Sequence, residues 1–180
     1  MEPLPTFKYH PDPIRSGSIE QSTTECQCCG RARGYIYTGP TYAVDDLDNC
    51  LCPWCIAGGL AHKKFDAMFV DDSIFPDDIP SNVLKEVTLR TPGYSSWQSE
   101  VWPTCCNDVT AFLAPVGITE IRADYPDLEY DVTKFIVDEL KIYNNEALTM
   151  LKALNRDSGP TAYIFQCLHC QAFHVHVDFL

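Results

Sequence analysis

Ten cysteines are the residues of this chain most able to do chemistry, and their spacing sorts them into sets. Cys26-Gln27-Cys28-Cys29-Gly30 and Cys52-Pro53-Trp54-Cys55 each hold a Cys-x-x-Cys pair, with 22 residues between Cys29 and Cys52. One such turn offers two thiolates from a single bend, and two turns complete the four-ligand tetrahedron that zinc prefers. Cys26, Cys29, Cys52 and Cys55 are therefore the expected ligands of a structural zinc in a ribbon-like module. Gly30 follows the second thiolate, where a positive φ is needed. Buried unliganded cysteines would not require paired spacing twice. Cys28 and Cys50 each lie two residues from a member of a pair, and are read as packing residues that could replace a ligand if the turn shifted.

The remaining cysteines form a second set: Cys105, Cys106, Cys167 and Cys170, with 60 residues between Cys106 and Cys167. Only Cys167-Leu168-His169-Cys170 is a regular turn. Adjacent cysteines on an extended chain point to opposite faces, so Cys105 and Cys106 need a bend, for which Pro103 is the candidate. A second zinc is expected here, with His169, His174 or His176 as substitutes for one of the adjacent cysteines.

No catalytic residue stands out. His174, His176 and Asp178 alternate with apolar residues and would share one face of a strand; a polar face on an edge strand is the commoner explanation than a catalytic metal. Cys52-Pro53-Trp54-Cys55 has the form used in thiol exchange, but a second pair upstream is ready to share a metal with it. No phosphate loop, nucleophile elbow or metalloprotease helix is present.

The elements that must position these cysteines imply an α+β fold: short β-hairpins with zinc-ribbon-like cysteine turns, packed with several helices in a single compact domain. Prolines at 3, 5, 11 and 13 predict an extended N-terminal arm over residues 1–25, laid on the surface. Residues 26–66 read as the zinc-ribbon-like module, with a hairpin punctuated at Gly39-Pro40 and a helix from about Gly58. Residues 67–180 read as a helical and β remainder closed by the second zinc site. Within it, helices are predicted at 81–90 with Ser81 as N-cap, from Asp108 through DVTAFLA, over 127–143, and over 146–155. Strand, cysteine turn and strand are predicted for the last block.

Composition narrows the function classes. Hydrophobic residues are 46% of the chain, enough for a folded core. A formal net charge of -12 repels phosphate backbones and anionic membranes and attracts basic proteins. The acids concentrate at Asp45, Asp46 and Asp48, at Asp71, Asp72, Asp77 and Asp78, and at Asp124, Asp127, Glu129 and Asp131. The opening MEPLPTFKYHPDP has no secretory pattern, and no stretch has the length and apolarity to span a membrane, which points to the cytoplasm. In that reducing compartment paired cysteines are better explained by metal than by disulfides.

Taken in order, CQCCGRARGYIYTGPTYAV, LCPWCIAGGLAHKKFDAMFVDD, the Trp97 to Phe112 segment and YIFQCLHC resemble the CbrC family of bacterial proteins. The resemblance runs from about Phe7 to Phe179. Where that family is expected to have a histidine before the central cysteine, this chain has Cys105. The resemblance implies colicin tolerance, and hence toxin defence, and supplies no catalytic residues. The leading expectation is a non-enzymatic, zinc-stabilised acidic protein that neutralises a basic toxin, such as a nuclease, by direct binding as an immunity factor. The competing expectation is a metal-dependent enzyme with an open zinc held by the C-terminal cysteines and His174 or His176. Zinc-ribbon contact with nucleic acid would need Lys8, Arg15, Arg31, Arg33, Lys63 and Lys64 in one patch.

Overall fold

The computed structural model describes residues 2–179, so Met1 and Leu180, the ends of the expected arm and closing block, lie outside it. The chain runs through β1 (Ile19–Gln21), β2 (Tyr35–Tyr37), α1 (Pro53–Ala57), α2 (Leu60–Phe65), α3 (Ser81–Arg90), β3 (Thr104–Cys105), β4 (Asp108–Val109), β5 (Ala111–Val116), α4 (Ile118–Asp124), α5 (Glu129–Asp138), α6 (Asn144–Ala153), β6 (Thr161–Gln166) and β7 (Phe173–Asp178). These helices and small antiparallel sheets pack as one domain, the α+β class expected from the sequence.

The organising element is the sheet β5-β6-β7, antiparallel throughout. Its central strand, TAYIFQ, is buried along nearly its whole length because both faces are covered. On one face Phe112, Tyr163 and Phe165 meet Tyr94 and Trp102, with Tyr94 stacked on Phe112 at 4.2 Å between ring centroids. On the other, Ala114, Val116, Ala162, Ile164 and Val177 receive Ile121, Val132, Ile136 and Leu151 from α4, α5 and α6. A third apolar cluster gathers Phe7, Ile19, Tyr37, Leu51, Ile56 and Phe69 around the cysteines of the first set.

Several local expectations give way to long-range pairing. DVTAFLA forms β4 and β5, not a helix. Asp108 is committed to a buried hydrogen bond with Tyr9 and a part-buried one with His169, and Pro115 would break a helix just begun. β2 pairs with β1 and not with a strand after Gly39-Pro40. Ser81 is the first helical residue, and the cap position belongs to Pro80. The helix predicted over 127–143 ends at Asp138, after which Lys141 and Asn144 take positive φ and turn the chain into α6. The segment before Cys26 runs along the surface for much of its length and is anchored by the buried Phe7, Tyr9, His10 and Ile19, and Phe112 N–H donates to the Tyr9 carbonyl at 2.8 Å.

His10 ties that segment down. Its partner on the Nδ1 side, the Pro92 carbonyl at 2.7 Å, can only accept, so Nδ1 carries the proton and Nε2 accepts from the Ser16 hydroxyl at 2.7 Å. Burial pushes its pKa down to about 4, so the folded state holds the ring neutral. The folded value lies below the ordinary 6.5. This contribution is therefore whole above that pH and lost as pH falls towards 4, amounting to about 3 kcal/mol. Denaturation at a series of pH values is expected to show stability falling across this window, with His10→Gln losing that part of the slope.

Gly93 marks the seam between the cysteine-centred and aromatic clusters. A Cβ there would stand 2.1 Å from the Phe69 carbonyl oxygen and 3.1 Å from the Tyr37 hydroxyl. Gly93→Ala is expected to cost about 1–3 kcal/mol, read as a lower denaturation midpoint at constant slope.

Candidate metal centres

Two six-residue knuckles have the same backbone construction. In the first, Cys26 N–H donates to the Arg31 carbonyl at 3.0 Å and Gly30 N–H to the Cys26 carbonyl at 2.7 Å. In the second, Cys167 N–H donates to Ala172 at 2.8 Å and Gln171 N–H to Cys167 at 3.2 Å. Each turn closes through a left-handed residue directly after its second cysteine, Gly30 at φ 66° and Gln171 at φ 62°. The first of these was legible from the glycine; the second carries a side chain and gave no such signal.

Each knuckle meets a different partner. Cys52 stands at the start of α1 and Cys55 lies in its first turn, with Cys55 N–H donating to the Cys52 carbonyl at 3.0 Å and Pro53 at an early helical position. Cys105 and Cys106 sit on a hairpin in which Cys105 pairs with Asp108. The two residues between, Cys106 and Asn107, have φ of 53° and 59°, the signature of a two-residue type I′ loop. That loop supplies the bend that the sequence reading assigned to Pro103. Asn107-Asp108 was the local signal for it, since asparagine tolerates the left-handed region best after glycine.

Both four-cysteine sets are brought together, the four Sγ atoms of each lying within 4.8 Å of one another. Cys26–Cys55 and Cys29–Cys52 are separated by 3.8 and 3.9 Å, and Cys105–Cys106 and Cys105–Cys170 by 3.8 and 3.7 Å. A tetrahedron with metal–sulfur bonds of about 2.3 Å has edges of about 3.8 Å, so the spacing fits a four-coordinate thiophilic ion. It is far too long for a disulfide, whose sulfurs are about 2.05 Å apart.

The electrostatics of the sulfurs fit a cation as well. The Cys52 thiol, with the amides of Cys52, Cys29 and Cys28 behind it, stabilises a Cys26 thiolate and holds its pKa down to about 4 against burial. Cys52 is pushed far up by that same hydrogen bond and by burial, and Cys55 by burial and by Cys28. In the second set the amides of Cys170 and His169 lower Cys167 to about 6, while hydrogen bonding to Cys167 raises Cys105 to about 12. Protein groups alone thus support one ready thiolate per cluster. A bound cation would displace the protons from the others.

The environments of the two centres differ. Cys26, Cys52 and Cys55 are at most 1% exposed and belong to the apolar cluster, whereas Cys106 and Cys170 face solvent. Cys50 packs in that cluster and Cys28 against it, outside the four-sulfur group. None of the three candidate histidines joins the second cluster. His169 Nε2 contacts Asp108 Oδ2 at 2.8 Å, and His176 packs edge-on against Phe135. His174 pairs with Phe165 across β6 and β7 and lies outside the four-sulfur group. Sequence reasoning missed Asp108, which also accepts from Tyr9 at 2.7 Å and Lys8 at 3.0 Å and so links the second hairpin and knuckle to the N-terminal segment.

The profile of the family described as an uncharacterised protein family, UPF0167, matches residues 4–179. The chain belongs to the UPF0167 family. Relatives at 42% identity are UPF0167 protein Mb2317 of Mycobacterium bovis and UPF0167 protein PA1536 of Pseudomonas aeruginosa. The matches cover 98% of this chain in both cases, and 94% and 98% of the respective relatives. No solved structure matches. Membership of UPF0167 replaces the resemblance to the CbrC family, which neither the profile nor the relatives indicate. The toxin-defence setting that this resemblance implied loses its support with it. Among the described residues no helix is long and apolar enough to cross a membrane.

Purified protein is expected to hold two equivalents of metal per chain by elemental analysis, with a chelator removing the solvent-facing one first. Cys170→Ser is expected to lose one equivalent and to lower the unfolding midpoint by less than Cys52→Ser does. Cys52→Ser is expected to lose the other at a cost of about 3 kcal/mol or more.

Proposed function

We propose that this UPF0167 chain is a non-catalytic binding protein in which both clusters close around zinc as structural staples, and whose acidic face receives a basic protein. The observation that carries the first part is the donor set. Four thiol ligands at tetrahedral edge lengths leave no position on the ion for water or substrate, the feature that separates structural from catalytic zinc. All-sulfur donors favour zinc over harder divalent ions. The open-zinc enzyme expected as the competitor draws on His174 or His176, and both stand outside the four-sulfur groups.

Charge supports the second part. Asp124 pairs with Arg15 and Glu129 with Arg122, so the third acidic cluster is partly neutralised. Among the described residues no Lys, Arg or His pairs with the acids of the first two clusters, Asp45 to Asp48 and Asp71 to Asp78. Uncompensated charge of one sign steers a partner of the other. A nuclease toxin would be one such partner, but charge alone carries no more than a basic protein. Of the basic residues that a nucleic-acid patch would need, Lys8, Arg15 and Arg33 are engaged by carboxylates, and Lys64 by the Gln27 and Cys28 carbonyls.

X-ray absorption at the zinc edge of the metal-loaded protein is expected to show four sulfur neighbours at about 2.3 Å and no nitrogen or oxygen shell. An oxygen in that shell would revive the enzyme reading. Proteins retained by the immobilised chain are expected to be basic and to elute with rising ionic strength; acidic partners held at high salt would contradict the proposal.

A further inference from the structure

A cleft of 570 Å³ opens where the segment around Tyr42 and Asp48 faces Asp71 and the Tyr94–Glu100 loop. It shares no residue with either metal centre. Three carboxylates line it, from Asp48, Asp71 and Glu100, and among the described residues no Lys, Arg or His does. The rest of the wall is largely polar, with Asn49, Gln98 and three serines. Its volume is that of a small-molecule site.

Glu100 is the group that points to an occupant. It is 7% exposed, and its Oε1 accepts from the Asp71 amide at 2.7 Å and the Tyr42 hydroxyl at 2.9 Å. Among the described residues its Oε2, which is buried, has no hydrogen-bond partner. Native interiors rarely leave a carboxylate oxygen without a donor, because its desolvation is then uncompensated. Burial correspondingly pushes Glu100 above the usual carboxylate range.

We propose that this cleft binds a ligand through a cationic nitrogen head group, an ammonium or guanidinium, that donates to Glu100 Oε2. Three carboxylates disfavour an anion, and the polar wall disfavours an apolar guest. Tyr42, 38% exposed, lines the cleft beside Glu100 and donates its hydroxyl to Oε1. The acids of two clusters distant in sequence, at Asp48 and Asp71, converge here. The proposal does not rest on the protein partner suggested above.

Calorimetric titration of the full metal-loaded chain with agmatine, putrescine and methylguanidinium tests it, with n-butanol as the uncharged control and a short arginine-containing peptide as a second source of the head group. Saturable binding of the cationic probes and none of butanol is expected. Glu100→Gln keeps the shape and is expected to weaken binding about tenfold or more. Asp48→Asn, on the exposed rim, serves if the buried variant does not fold, and is expected to weaken binding about twofold to threefold. Saturation by the peptide with none by the free amines upholds the head-group chemistry and assigns it to a protein side chain. No saturation by any cationic probe up to about 10 mM, equal binding of butanol, or affinity unchanged in the variants would overturn the proposal.

Discussion

Four thiolates held at edges of 3.7–3.9 Å would repel one another strongly, and a cation between them would make the arrangement favourable. Much of the fold follows from that condition. The first apolar cluster has Cys26, Cys52 and Cys55 as interior members, so its packing presupposes that their charge is neutralised. Strand β1, helix α1 and the loop to Phe69 converge on those sulfurs, which gives a region of short elements a fixed centre. Short strands and a five-residue helix could not supply one by hydrogen bonding alone.

What was legible in the sequence follows the range of the interactions involved. The three Cys-x-x-Cys pairs, Gly30 and the β6–β7 hairpin are specified within a few residues, and each could be read. Helix α3 was placed by its own periodicity. DVTAFLA could not be read, because it becomes strand through pairing with β6, some fifty residues later, and through the contacts of Asp108 with Tyr9 and His169. The same holds for β2, whose partner β1 comes from a proline-rich stretch with no strand signal of its own. The Cys106–Asn107 loop is the instructive middle case. Its signal was local, but a proline three residues upstream drew the reading away from the asparagine that makes the turn.

The two centres use one knuckle for different purposes. The first is set in apolar packing, so losing it opens a core. The second lies on an exposed rim, and its structural reach comes through Asp108. That carboxylate stands directly opposite Cys105 in the hairpin, and its hydrogen bonds to Tyr9, Lys8 and His169 lower its pKa although burial opposes them. It therefore fixes the hairpin and knuckle against the N-terminal segment, which in turn reaches the first cluster through Phe7 and Ile19. Residues 7 to 19 are in this sense a strap between the two sulfur clusters.

Charge placement follows from the same chemistry. Each zinc tetrathiolate would add about -2 to a chain that already has 25 acids against 13 lysines and arginines. Part of that small supply of cations is committed near the sulfurs: Arg33 lies against Cys52 and over the Trp54 ring at 4.2 Å, Lys64 caps the carbonyls of the first knuckle, and Lys8 serves Asp108. Arg15 and Arg122 neutralise the third acidic cluster. Among the described residues no positive side chain pairs with the first two clusters, whose Asp48 and Asp71 line the cleft of Glu100. A chain that places cations beside its sulfurs and none along the described lining of that cleft leaves three carboxylates without a cation at one concave site. A cationic group arriving from outside gains most there, since the low-dielectric walls of a cleft focus the field that an open surface would lose to solvent.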